Sequence, residues 1–100
     1  MTLYACVPAR DLRRILADGF TAGDETTSGD QIGVMLAASP ECWTGYPEPG
    51  ETEHWLVSVT LPAPAWWLAP YLDRSWILAT YFVPAHRLRG ARIRPERIAA

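Results

Sequence analysis

The sequence contains no lysine and no asparagine, and all nine of its basic residues are arginine. Together with many alanines and prolines, this bias indicates a GC-rich coding sequence rather than a particular function. Only two cysteines are present, Cys6 and Cys42. Two cysteines without a secretory signal predict neither a disulfide nor a metal site, so we interpret both as small, half-buried apolar residues.

Long hydrophobic runs are also absent. The longest apolar stretch, residues 63–70, is short and interrupted by proline, which argues against a membrane-spanning helix. No basic segment precedes an apolar one at the N-terminus, so we expect no export signal and a cytoplasmic protein. A length of 100 residues predicts one domain over residues 1–100, with room for a single core and one cleft. The composition, 49% hydrophobic and 20% charged residues, indicates a compact soluble protein rather than a disordered one.

The net charge of −2 conceals a segregation of charge along the chain. Residues 18–53 include eight acidic side chains and no basic one, whereas residues 74–100 include six arginines and one glutamate. The arginine-rich end either contacts phosphate groups or forms a solvated edge that faces the acidic half. The acidic total disfavours general nucleic-acid binding.

The first twenty residues predict one strand and one amphipathic helix. Residues 2–7 favour a strand, and the helix that follows begins at Pro8 and ends before Gly19. Its apolar side chains recur at i, i+3 and i+4 and should form one buried stripe, with three arginines left in water. The stripe is Leu12, Ile15 and Leu16, and the arginines are Arg10, Arg13 and Arg14.

The remaining pattern predicts an α+β domain. Residues 21–30 contain no large apolar side chain and are interpreted as a loop, either a flap over a site or a connection. We expect a small twisted, mostly antiparallel sheet of about five strands, with one main helix and one or two short helical turns. The further predicted strands are 31–38, 53–61, 74–83 and 91–94, and the predicted turns begin at Ser39 and Pro84.

The opening string LYACVPARDLRRILADGF resembles that of ADP-ribosyltransferase-like domains, such as tRNA 2'-phosphotransferases and DNA-modifying ADP-ribosylating toxins. The strand GVMLAASP (33–40) resembles the Gly-Val-Tyr-Leu strand of these domains, and YFVPAHRL (81–88) resembles their Val-Pro-Ala turn. The resemblance implies a nucleotide-handling fold. It also implies a polar NAD-binding residue on the first strand, a Tyr or Ser on the second, and a later polar residue that assists catalysis.

This chain departs from the family at those positions. The resemblance places Ala5 and Met35 where the first two polar residues would stand, and the third position falls near Trp76 or Thr80. The side chains of Ala5 and Met35 cannot hydrogen-bond a ribose or an amide. The resemblance therefore implies either a catalytically degenerate member or a likeness of architecture alone.

The most distinctive feature of the composition is its aromatic content, with five tryptophans and four tyrosines. If Trp43, Tyr46, Trp66 and Trp67 converge over the flap, they form an apolar slot for a base, a nicotinamide or another flat ligand. In the alternative, Trp55 and Trp76 fill the core while Trp66 and Trp67 form a dimer patch. The sequence specifies no cofactor.

Two histidines are candidates for chemistry. His54 follows Glu53, and a carboxylate beside an imidazole could tune a base, but neighbouring strand residues point to opposite faces. His86 stands beside Arg87 and Arg89, and the three either bind an anion or form an ordinary solvated surface.

Three hypotheses follow. The first is a domain that binds a nucleotide-like or planar small molecule through Tyr4, Arg10, Trp43, Tyr46 and Tyr81. The second is a small tailoring or transferase enzyme with His54 as its catalytic acid-base group, and the third is an immunity-like or regulatory module that uses its Trp patch. We expect no membrane partner and no nucleic-acid partner. The sequence leaves a homodimer as one possibility.

Overall fold

Within residues 1–48, 50–62, 64–73 and 78–99, which the computed structural model describes, seven strands form one antiparallel sheet. Its order is β5-β6-β3-β1-β4-β7, with β2 added to β3. The strands are β1 (Thr2–Pro8), β2 (Thr26–Ser28), β3 (Gln31–Ala37), β4 (His54–Thr60), β5 (Leu72–Asp73), β6 (Thr80–Val83) and β7 (Arg92–Ala99). One helix, α1 (Ala9–Asp18), and four 3₁₀ turns connect them. The predicted α+β class is confirmed, and the short strands β2 and β5 raise the strand number above the expected five.

Helix α1 follows the predicted pattern with two differences. It is followed by Gly19, whose φ of +83° favours glycine and whose N–H bonds the Ile15 carbonyl at 2.8 Å. Ile15 is 1% exposed, but Leu16 is 40% exposed, since it lies about 100° further round the helix. Pro8 is the last residue of β1 rather than the first of the helix, because it still pairs with His54.

The main core lies between α1 and one face of the sheet. Strands β1 and β4 pair over their whole length, from Thr2 opposite Thr60 to Pro8 opposite His54. Alternation along these strands places one set of side chains against the helix. The buried members from the two strands are Leu3, Ala5, Val7, Val57 and Val59.

The opposite face of the sheet is covered by a second, smaller layer. The 3₁₀ turn η2 (Pro40–Trp43) begins as predicted, with the Ser39 hydroxyl accepting a hydrogen bond from the Glu41 N–H at 3.2 Å. The indole of Trp43 then reaches the backbone of β1, where its Nε1 donates to the Tyr4 carbonyl at 3.0 Å. This bond fixes the turn over the sheet.

The segment predicted as a loop contains regular structure, so that prediction was wrong. A 3₁₀ turn, η1 (Ala22–Asp24), precedes β2, which pairs with the start of β3 from Ser28 opposite Gln31 to Thr26 opposite Gly33. Gly29, with φ of +59°, allows the tight reversal between the two strands. We call residues 21–28 the flap.

The strand predicted over 74–83 is shorter in the described residues. Residues 74–77 lie outside them, Leu78 and Ala79 are exposed and not in a strand, and β6 begins at Thr80. Phe82 and Val83 point to opposite faces and are both buried, and β6 lies between β5 and β3.

Strand β7 forms one edge of the sheet and continues past the predicted end at Arg94. It pairs with β4 through a register irregularity between Leu56 and Val57. Pro95 lies opposite Val57 at this point, where the ladder is already disturbed and a missing N–H does least harm. No helix within the described ranges is long and apolar enough to cross a membrane.

Candidate functional site

The central feature of the candidate site is a split in the sheet. Strands β1 and β3 pair only at Tyr4 opposite Ala37, and beyond this point they separate. A cleft of about 320 Å³ fills the gap and reaches side chains from both faces of the sheet. It is lined by Ala5, Cys6, Val7, Pro8, Arg10, Asp11, Phe20, Gly23, Asp24, Glu25, Thr26, Val34, Met35, Trp43, Tyr46 and His54.

One wall of the cleft is a row of three rings. The ring centroids of Trp43 and Tyr46 lie 5.5 Å apart at 60°, and those of Tyr46 and His54 lie 5.3 Å apart at 76°. These tilted and edge-on contacts are the arrangements that aromatic quadrupoles favour. Because the Trp43 indole is bonded to the Tyr4 carbonyl and His54 belongs to β4, both ends of the row are fixed to the sheet.

His54 is the only imidazole that lines the cleft within the described residues, and it is 7% exposed. Its Nδ1 lies 2.6 Å from the Thr52 carbonyl oxygen. A carbonyl can only accept, so this contact requires the proton on Nδ1. In the neutral ring, the lone pair is therefore on Nε2, which makes that atom the basic one. Glu53 is exposed and lies outside the cleft lining, as strand alternation predicts.

The flap forms the opposite wall and is held at two points. Arg14 donates two hydrogen bonds to Asp24, at 2.6 and 3.2 Å, which ties η1 to the helix. The Glu25 carboxylate accepts the Ala85 N–H at 2.8 Å, which ties the flap to the 3₁₀ turn η4 (Ala85–Leu88). Arg14, which was predicted to stay in water with Arg10 and Arg13, keeps about a third of its side chain exposed (37%) and is in addition bonded to the flap. The flap is thus fixed both to α1 and to η4.

The flap anchor also sets the charge of Asp24. Burial alone would raise the pKa of its carboxyl, but hydrogen bonds from Arg14 and from the Thr21 N–H, at 2.7 Å, outweigh burial and lower it. The Asp24 carboxyl is therefore ionised at neutral pH and matched by the guanidinium of Arg14.

The thiol of Cys6 has the opposite character. Burial, with a smaller contribution from the negative charge of Glu51, raises its pKa to about 11. Burial and Glu51 also raise the pKa of the Tyr46 phenol. Both groups are consequently neutral at physiological pH, and Cys6 is not an activated nucleophile.

The structure brings four of the six predicted site residues to the cleft: Arg10, Trp43, Tyr46 and His54. Tyr4 lies where β1 and β3 still pair, at the closed end of the split, and contributes its carbonyl rather than its ring to the aromatic wall. Tyr81 lies on β6, opposite Leu36 and across β3 from the cleft. The side chains of Tyr4 and Tyr81 therefore do not line this cleft.

The tryptophan pair of the predicted slot lies elsewhere. Trp66 and Trp67 begin the 3₁₀ turn η3 (Trp66–Tyr71), and neither lines the cleft. Trp66 is 78% exposed, whereas Trp67 packs against the core and meets the Tyr71 ring edge-on. Trp55 packs against the core from β4, and Trp76 lies outside the described residues.

No family model, curated protein or solved structure matches this chain. Its cleft must therefore be interpreted from its own residues. Ala5 and Met35, which the family resemblance aligns with polar NAD-binding positions, both line the cleft, so this part of the wall is apolar. Thr80, near the third position, is fully buried and donates to the Leu78 carbonyl at 3.1 Å, away from the cleft lining.

Sequence reasoning missed the flap residues Asp24 and Glu25. The spacing of Thr21 and Asp24 is that of a capping box, which would have indicated a turn in this segment. Nothing local in the sequence indicates the partners of these acids, because Arg14 and Ala85 are distant along the chain. Within the described ranges, no three His, Cys, Asp or Glu side chains are grouped to hold a metal ion.

Proposed function

We propose that this domain binds a nucleotide-like or other planar small molecule between the separated strands β1 and β3. The observation that carries the proposal is the split itself, with the rings of Trp43, Tyr46 and His54 along one side. A flat ligand group can stack on the face of one of these rings and meet the edge of its neighbour, and the apolar floor of the cleft excludes water from it.

The size of the cleft limits the ligand. Small-molecule sites commonly enclose about 300–1,000 Å³, and 320 Å³ lies at the lower end of that range. The space suits one ring system with a sugar or a short substituent rather than both halves of a dinucleotide. We therefore expect a mononucleotide, a nucleoside or a nicotinamide-like group to bind better than an intact dinucleotide.

One cation in the cleft lining, Arg10, is available to an anionic substituent of the ligand, and three carboxylates also line the cleft: Asp11, Asp24 and Glu25. Arg10 is exposed at the start of α1, lines the cleft, and forms no ion pair with any described residue. Asp24 and Asp11 both lie within ion-pair distance of Arg14, at 2.6 and 3.9 Å, and Glu25 accepts the Ala85 N–H. The Arg10 guanidinium is thus the group available to a phosphate or carboxylate of the ligand.

The resemblance to ADP-ribosyltransferase-like domains agrees with a nucleotide-like ligand but not with their chemistry. An apolar wall at Ala5 and Met35 offers no side-chain hydrogen bond where the family holds NAD. We propose a cytoplasmic binding domain of this general architecture in which transfer activity has been lost.

Thermal unfolding tests the binding proposal with AMP, adenosine, nicotinamide, ADP-ribose and NAD as probes. A ligand present at one hundred times its Kd stabilises the fold by about 2.7 kcal/mol. For a domain of this size that corresponds to a rise in Tm of roughly 10–20 °C. The absence of any shift with all five probes at millimolar concentration would remove the proposal.

Two matched pairs of variants locate the binding. Tyr46→Leu removes an exposed ring from the wall, and Trp66→Leu removes an exposed ring far from the cleft lining. Arg10→Gln removes the rim cation, and Arg13→Gln removes an exposed cation from the same helix outside the lining. We expect the first member of each pair to weaken binding about tenfold and the second to leave it unchanged.

A second candidate function is proton transfer by His54, favoured by the contact that holds its proton on Nδ1. We propose that Nε2 acts as a general base toward a ligand in the cleft. His54→Asn preserves a donor toward the Thr52 carbonyl but removes the base. Release of nicotinamide from nicotinamide mononucleotide by the wild type, lost in this variant, supports catalysis. No release by the wild type removes this second candidate function.

A further inference from the structure

A second hollow, distinct from the cleft, lies beside the turn η4. Its volume is about 340 Å³, and no residue lines both spaces. Its walls combine two prolines and a tryptophan with three basic side chains. They are Pro62, Pro64, Trp67, His86, Arg87 and Arg89.

Arg87 is held in place on an aromatic surface. Its Cζ lies 4.8 Å from the centroid of the Trp67 ring, within the range of a cation–π contact. Trp67 packs against the core and meets Tyr71 with centroids 6.4 Å apart, so the platform is itself fixed. A guanidinium in cation–π contact with a ring keeps N–H donors for another partner.

Within the described part of the chain, no carboxylate forms an ion pair with Arg87 or Arg89. Both ion pairs found there belong to Arg14, and neither Arg87 nor Arg89 donates a side-chain hydrogen bond to a described residue. Both side chains are exposed, and the acidic residue nearest to them along the chain is Glu96, on β7. Two arginines and a histidine thus line one concave space, and no carboxylate of the described residues lines it with them.

We propose that this hollow binds the phosphoryl group of a small phosphorylated molecule whose attached ring lies against Trp67 and the two prolines. A phosphate monoester presents three acceptor oxygens, which two guanidinium forks can share, whereas a single carboxylate presents only two. The apolar walls supply contact for a ring attached to the phosphate. The negative net charge of the chain disfavours a nucleic acid as the occupant.

The experiment uses phenyl phosphate and inorganic phosphate as probes of the ¹⁵N-indole-labelled protein. The Trp67 indole resonance is assigned by its loss in Trp67→Phe, and Kd is measured from its shift and by calorimetry. We expect phenyl phosphate to shift this resonance and to bind about tenfold tighter than inorganic phosphate, since only phenyl phosphate contacts the apolar walls. Equal affinities for the two probes would overturn the assignment of those walls.

Variants test the cations. Arg87→Gln and Arg89→Gln should each weaken phenyl phosphate binding about tenfold, and the exposed control Arg13→Gln should leave it unchanged. Circular dichroism checks that all three fold alike. An unmoved Trp67 resonance, or an Arg89→Gln variant that binds like Arg13→Gln, would overturn the proposal. Tighter binding of a short single-stranded oligonucleotide, dependent on Arg87, would overturn it in favour of nucleic acid.

Discussion

Among glycine-to-alanine substitutions at the described glycines, Gly33→Ala should destabilise this fold the most. Gly33 is buried on β3, where that strand passes between its neighbours. A Cβ built there would lie 2.6 Å from the backbone carbon of Phe82 and 2.6 Å from the backbone nitrogen of Val83, where ordinary contacts begin at 3.4 Å. The obstructing atoms are backbone, so no side-chain rotation relieves the overlap.

The magnitude follows from the kind of neighbour. Overpacking by one methyl group typically costs about 1–3 kcal/mol. We expect a cost at the upper end of this range, because β6 would have to move as a whole. It is held in register with β3, with Val34 opposite Val83. About 3 kcal/mol in a 100-residue domain lowers Tm by roughly 12–24 °C. It is also a large fraction of a typical total stability of about 5–15 kcal/mol.

Gly23→Ala is the matched control. A Cβ at Gly23 would meet only the Thr21 hydroxyl, at 3.6 Å, and its φ lies outside the left-handed region. The same chemical change there should be neutral, or stabilising by about 0.4–1 kcal/mol, through the lower entropy of the unfolded chain. Urea denaturation of the two variants measures the difference. If Gly33→Ala unfolds within about 0.5 kcal/mol of Gly23→Ala, the close approach of β3 and β6 is wrong.

Three further predictions concern the walls of the cleft. Asp24→Asn should lower Tm at pH 7. Because the pKa of Asp24 in the folded state lies below its unfolded value of about 3.9, the wild type should have the higher Tm above that pH, and the difference should vanish as pH falls through the folded pKa. A difference in Tm that does not depend on pH would contradict this prediction. Cys6, followed by mass spectrometry in a Cys42→Ser background, should react with iodoacetamide at pH 8 about tenfold more slowly than a free thiol. Its pKa of about 11 leaves little thiolate, and the greater nucleophilicity of that thiolate offsets only part of the loss; a rate near that of glutathione would refute this. Trp43→Phe removes the hydrogen bond to the Tyr4 carbonyl and should cost about 0.5–1.5 kcal/mol in urea denaturation, against no loss for the exposed Trp66→Phe.

The helix, the central strands and the short turns could be predicted from the sequence because their signals are local. Alternation marks β4, and a glycine just past the last helical residue marks the end of α1. The flap could not be predicted in this way, since three polar residues, Thr26–Ser28, carry no hydrophobic alternation of their own. Their pairing is decided by the partner strand β3 and by the reversal at Gly29.

The candidate site was partly predictable for a related reason. The predicted slot combined Trp43 and Tyr46 with Trp66 and Trp67, and only the first two, which stand close together in the chain, line the cleft. Their meeting with His54 depends on η2 crossing the sheet, and no local pattern specifies that crossing. Tyr4 and Tyr81 were reasonable as aromatic side chains on central strands, but the single pairing position between β1 and β3 sets which residues face the gap. Strand spacing of this kind is a tertiary property.

The exposed margin at β7 has a consequence for the behaviour of the protein at high concentration. Edge strands offer unpaired backbone groups on which another molecule can add a strand, and long flat ones promote aggregation. Here the irregular register, Pro95 and the exposed arginines of β7 interrupt that template, while β5 at the other described margin is only two residues long. Intermolecular strand pairing is therefore obstructed at both β7 and β5. This favours recovery of the native fold after dilution from denaturant.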